Sequence, residues 1–234
     1  LRINVALRGD IFAPRVFFEH SPDHNDLGTS RIFESLPRFT GRSTLEGLYI
    51  EASLSSPFIY YIQSELSDVT SGVLHAYHYA HPSPETGLRH LDLFAARTLL
   101  IRSDRMKRRL DRTPGVRRTV EIGDYVVYER DGPPTAYVVP LRLRPRVYAG
   151  PRPKAFAHRH FILHPDGEPA VILPYGGETL RGETPPAEWV RCAEEDLPLR
   201  GEPFGETLRG ETPPVVSAIM GAEEIRIRTS RPGW

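Results

Sequence analysis

A single cysteine, Cys192, leaves the chain without any internal disulfide, so cysteine usage points to neither an oxidising nor a reducing compartment. Lysine is almost as scarce, standing only at 107 and 154, and the basic side of the chain is nearly all arginine. Arginine favours bidentate recognition of phosphate or carboxylate, but GC-rich coding gives the same bias, and composition leaves both readings open. A net charge is missing as well: thirty basic residues balance thirty acidic ones, so no overall field favours nucleic acid as a partner. No run approaches the roughly 18 to 20 apolar residues of a membrane-crossing helix, and the opening LRINVALRGD lacks the apolar core of a signal peptide. The chain by itself is expected to be soluble.

What is present suffices for a core. With 39% hydrophobic and 26% charged residues among 234, there is material for one large domain or two small ones. Ile3 to Leu7 and Val16 to Glu19 are short β-branched and aromatic runs that read as strands. Thr29 or Ser30 is placed to cap a short helix carrying Ile32, Phe33 and Leu36, with Pro37 and Gly41 closing it. Ser56-Pro57 and Ser83-Pro84 are helix starts, predicting helices over Pro57 to Leu66 and from Ser83 through Leu88, Leu91 and Phe94. Thr98 to Ile101 reads as a strand, followed by a basic helix capped by Ser103 and ending before Pro114-Gly115. Val116 to Ile122, Asp124 to Glu129 and Thr135 to Leu141 read as strands, the last two joined through Asp131-Gly132.

Beyond Arg142 proline and glycine become dense and helical periodicity fades. Short strand candidates remain at Phe161 to Leu163, Ala170 to Leu173, Glu188 to Arg191 and Ile225 to Arg228. The expected fold is α/β: a mixed sheet with flanking helices over residues 1–145, then a smaller, incomplete β-rich domain over 146–234. Position 1 is Leu rather than Met, and a strand-like alternation stops just short of Arg231-Pro-Gly-Trp234, so the chain reads as a piece of something longer. GETLRGETPP occurs at Gly177 to Pro186 and again at Gly205 to Pro214. Two copies are too few for a solenoid, and each reads as a turn-rich exposed loop.

Carboxylates gather between residues 34 and 65: Glu34, Glu46, Glu51 and Glu65, with Arg42, Tyr49 and Gln63 among them. Paired carboxylates serve glycosidic chemistry, and Arg, Tyr and Gln suit sugar hydroxyls or phosphate; surface ion pairs account for the same residues. Gly41 and Gly47 permit tight turns around Arg42, Glu46 and Tyr49, which makes residues 40–51 the place where a ligand contact is expected, with Glu34 and Gln63 nearby. No residue is assigned a catalytic role.

His20, Asp23 and His24, and the group His75, His78 and His81, offer no spacing that brings three ligands together without a turn, so no metal and no other cofactor is expected. Cys192 lies among prolines and glutamates with no neighbouring His, unlike an activated thiol. No phosphate-cradling glycine loop or nucleophile elbow appears. Arg105, Lys107, Arg108, Arg109 and Arg112 form a dense basic helix, either a solvated face or a contact for anionic lipid headgroups.

Several segments carry a family pattern: Leu36-Pro-Arg-Phe-Thr-Gly-Arg-Ser-Thr-Leu-Glu-Gly-Leu-Tyr49, Ser56-Pro-Phe-Ile-Tyr-Tyr-Ile-Gln63, His90-Leu-Asp-Leu-Phe94, Gly123-Asp-Tyr-Val-Val-Tyr128, Tyr137-Val-Val-Pro140 and Ile225 to Trp234. In these the chain resembles the extracytoplasmic region of bacterial and archaeal polytopic membrane proteins described as related to 6-pyruvoyl-tetrahydropterin synthase, many of them glycosyltransferase-like. The zinc-binding histidine pattern of that synthase has no match here. The resemblance implies a parent at the extracytoplasmic face of the cell membrane, with this fragment non-catalytic. It would cap or assist a membrane-face site for a glycan or lipid-linked sugar, with the transmembrane portion of its own parent chain as its partner. A free-standing sugar-active enzyme with converging carboxylates, and a purely structural or interaction module, are the alternatives.

Overall fold

Serine, proline and glycine set most of the helix boundaries that hold this fold in place. The computed structural model describes residues 2–47, 56–69, 82–132, 146–150, 153–167, 170–174, 190–191, 216–220 and 225–229. The chain divides into two units, residues 1–137 and 138–234.

In the first unit, α1 (Arg2–Ala6) leads to β1 (Arg15–Phe18). Two 3-10 turns follow, Pro22–Leu27 and Ile32–Ser35, and then α2 (Leu36–Thr40). Next come α3 (Ser56–Leu66), α4 (Pro84–Leu93), β2 (Ala96–Ile101), α5 (Asp104–Leu110), β3 (Val116–Ile122) and β4 (Tyr125–Arg130). The sheet runs β1-β2-β4-β3, with β1 parallel to β2 and the other pairs antiparallel. This is a mixed α/β architecture. Long connections bring β1 and β2 side by side in parallel, as such strands require, while Gly123 with φ +59° turns β3 tightly into β4.

Every residue of β2 is buried, as a central strand covered on both faces should be. Leu7, Val16, Phe18, Phe33, Leu36, Leu100, Tyr125 and Val127 form one apolar cluster. α3 and α4 lie close enough that a Cβ built on Gly87 would sit 2.5 Å from Leu66 Cγ.

Two boundaries differ from the sequence expectation, and a third expectation lies outside the described residues. Ile3 to Leu7 is helical rather than extended, because Ile3 and Leu7, four residues apart, then share a face against the cluster containing Leu36. Pro37 stands in the first turn of α2 instead of closing a helix, since a first-turn proline withholds an amide that has no helical partner anyway; Gly41, at φ +77°, is the terminator. A β-hairpin joins β3 to β4 at Gly123-Asp124, and the further hairpin expected through Asp131-Gly132 leads to a strand, Thr135 to Leu141, that lies outside the described residues.

The second unit contains β5 (Arg146–Gly150), α6 (Pro153–Leu163), β6 (Ala170–Pro174), β7 (Val190–Arg191), β8 (Val216–Met220) and β9 (Ile225–Thr229). β5 pairs in parallel with both β6 and β7, and β8 pairs antiparallel with β9. Phe161 to Leu163, read as strand, is the last turn of α6. Proline density suggested loop here, but Pro153 opens the helix, where a missing amide is tolerated. Both decapeptide repeats, Cys192 and the His75 to His81 group lie outside the described residues.

Candidate functional site

The parallel strands β1 and β2 end side by side, which in open α/β sheets is where ligand crevices form. Their carboxyl ends deliver Glu19, His20, Arg102 and Ser103 to one place. Glu19, fully buried, accepts from the Arg102 and Ser103 amides at 2.7 and 2.8 Å, from the Asp68 amide at 3.2 Å and from the Ser103 hydroxyl at 2.5 Å. One carboxylate thus ties the end of β1 to the start of α5 and to the segment after α3. Four donors on a buried charge make a structural pin, with both oxygens engaged.

His24 lies beside it, buried. Its Nε2 meets the Glu19 carbonyl at 2.8 Å and its Nδ1 the Tyr125 hydroxyl at 3.1 Å. A carbonyl only accepts, so Nε2 carries the proton and Nδ1 accepts from tyrosine. Burial pushes the His24 pKa below the ordinary histidine value, keeping the ring neutral. Arg102 reaches the Asp23 carbonyl and Asp26, at 2.6 Å from the latter, and lies over the Tyr125 ring at 5.5 Å. His20 is half-buried with its pKa lowered by desolvation, and its ring makes no hydrogen bond among the described residues. No group of three or more His, Cys, Asp or Glu among the described residues is arranged to hold a metal.

The residues expected to contact a ligand are dispersed. Arg42 is buried and donates Nε and Nη2 to the Pro14 carbonyl at 3.2 and 2.6 Å, with Nη2 also on Thr98 Oγ1 at 2.7 Å; Thr98 in turn donates to Glu129 at 2.7 Å. The guanidinium therefore fastens the residues before β1 to β2. Glu34 is buried under Arg31, which donates Nε and Nη2 to it. Glu46 accepts from Gln63 Nε2 at 2.7 Å, and the same amide reaches the Phe18 carbonyl at 3.2 Å. Glu46 and Gln63 are thus brought together at the end of β1, while Arg42 and Glu34 serve other joints. Tyr49 and Glu51 lie outside the described residues.

Glu65, the remaining carboxylate of the stretch, forms a buried pair with His90 Nδ1 at 2.7 Å between α3 and α4. Desolvation pushes its carboxyl above the usual range in spite of that bond. The basic helix is neutralised in part: Lys107 pairs with Asp104 at 3.0 Å and Arg105 with Asp68 at 3.4 Å, Arg109 donates to the Pro82 carbonyl at 3.0 Å, and exposed Arg108 and Arg112 make no ion pair among the described residues. Glu19 is the key residue that the sequence reading passes over. A carboxylate directly after an apolar strand and before a Ser-Pro turn was the available signal.

Fold and polar joints together define a mixed α/β domain whose buried charges hold separate segments to one sheet. Residues 3–141 match the model of the family described as a domain of unknown function, DUF8559, and the chain belongs to that family. No curated protein and no solved structure matches the chain.

Proposed function

We propose that this chain is a non-catalytic part of a polytopic, glycosyltransferase-like membrane protein, seated on its extracytoplasmic face. There it caps or assists a site for a glycan or lipid-linked sugar. The supporting observation is the engagement of the described candidate carboxylates, Glu34 on Arg31, Glu65 on His90 and Glu46 on Gln63, and of Glu19 on amides. A glycosidase needs two carboxyl groups facing one scissile bond with roughly 5 to 9.5 Å between them, and these sit on separate internal joints instead. Among the described residues no helix is long and apolar enough to cross a membrane, so the spans belong to the parent chain in this reading.

Glu46 is the residue left for ligand contact, since it is only half-buried and its carboxylate accepts from hydroxyls as readily as from an amide; buried Gln63 orients it. Titrating the purified chain with oligosaccharides and lipid-linked sugar phosphates, followed by amide shift mapping, is expected to perturb the Glu46 and Gln63 region without any turnover of the sugar. Sugar release or transfer by the purified chain, lost in Glu46→Gln, would replace this reading with an enzymatic one. A parent gene encoding no hydrophobic segments of about 20 residues would remove the membrane context.

A further inference from the structure

Large apolar side chains left in water collect on three short segments at one corner of the first unit. Val5 of α1 is 69% exposed, Phe12 of the following loop 57% and Phe39 of α2 60%, with Ile11 also exposed. The segments are tied together: the Gly9 amide donates to the Thr40 carbonyl at 3.0 Å, and Leu7 and Leu36 share the core beneath. Asp10 Oδ1 accepts from the Phe12 and Ala13 amides at 2.8 and 2.9 Å, which fixes the turn that carries Phe12. Arg2, Arg8 and Arg38 stand on the same segments, exposed, and their side chains make no ion pair or hydrogen bond among the described residues. Elsewhere in this unit exposed Arg105, Arg117 and Arg118 each have a carboxylate partner, and Arg108 and Arg112, which have none among the described residues, stand beside no large exposed apolar side chain of their own segment.

We propose that this corner docks on an anionic lipid bilayer, with Phe12, Phe39 and Val5 entering the headgroup region and Arg2, Arg8 and Arg38 meeting lipid phosphates. Apolar side chains spread over separate short segments and interspersed with unpaired cations suit a bilayer surface, which takes up each one without a matching pocket. The basic helix α5 is the poorer lipid contact, because no large exposed apolar side chain stands on it to accompany its cations. This inference deepens the membrane-face reading by naming the surface touched. It fails separately from the sugar reading, because vesicle binding and shift mapping with sugars report on different residues.

Co-sedimentation of the full chain with vesicles of equal parts phosphatidylcholine and phosphatidylglycerol tests it, against vesicles of phosphatidylcholine alone. Binding is expected to the anionic vesicles, falling steeply with added salt. Each arginine removed should weaken it about fivefold, so the double variant Arg8→Gln, Arg38→Gln loses about 25-fold. Phe12→Ser with Phe39→Ser should abolish it while leaving the melting temperature unchanged, since both rings are in solvent. Absence of binding to the anionic vesicles, or equal binding by either double variant, overturns the proposal. So does concentration-dependent self-association that Phe39→Ser removes, which would assign the corner to a second copy of the chain.

Discussion

The buried polar residues of this domain act as fasteners between segments distant in sequence, and His24 shows the consequence for stability. Its Nδ1 accepts from the Tyr125 hydroxyl and its Nε2–H is held by a carbonyl, so both ring nitrogens are engaged in the neutral form, and a second proton would place a charge in a desolvated site. The folded pKa is depressed while the unfolded value stays near about 6.5, so the unfolded chain takes up a proton first as pH falls. Stability is then present above about 6.5 and is lost as pH drops toward the lowered folded value, by up to about 1.4 kcal/mol per pH unit. Thermal melts across this window should show a steeper acid loss for the wild type than for His24→Gln. Equal slopes would mean that His24 is not held neutral. Arg42 follows the same logic without titrating, since its fork joins the Pro14 carbonyl to Thr98 and removing it leaves buried acceptors unpaired.

Among the elements, α3 and α4 depend on a glycine. A methyl on Gly87 would meet Leu66 Cγ at 2.5 Å and Glu65 Cβ at 3.1 Å, and Leu66 Cγ is a branch point that cannot swing aside as a chain tip would. Gly87→Ala gains helix propensity of about 1 kcal/mol, yet forcing the helices apart costs about 1 to 3 kcal/mol and strains the Glu65–His90 pair seated in the same joint. A lower urea midpoint is expected, and an unchanged or raised midpoint would show that the two helices separate freely. How far the sequence revealed these elements follows from how local their signals are. Ser103 caps α5 by accepting the Met106 amide, and Gly41 ends α2 at positive φ, so residue type and position suffice there. α1 was hidden because its β-branched residues are overruled by packing of Ile3 and Leu7, and α6 because prolines mask its start. The partners of Arg42 lie 28 and 56 residues away and that of Glu65 lies 25 away, so the first joint depends on the sheet order and the second on the packing of α3 against α4, which no local pattern encodes.

For the whole molecule, the stretch matched by the family model, 3–141, nearly coincides with the first unit, 1–137. Inside that unit lie a four-stranded sheet whose central strand β2 is buried throughout, the apolar cluster around Val16 and Leu100, and the joints made by Glu19, Arg42 and Glu65. A domain of this size buries roughly two thirds of the surface its unfolded chain exposes, enough to fold without help. Residues 1–141 expressed alone should therefore unfold cooperatively in urea, with slow amide exchange in β2 and β4 and with the same His24-dependent acid loss as the full chain. Deleting Gly205 to Pro214, one copy of the decapeptide in the second unit, should leave that transition where it was. A fragment that melts without cooperativity, or a first-unit midpoint that moves on that deletion, would show instead that the second unit contributes to the stability of the first.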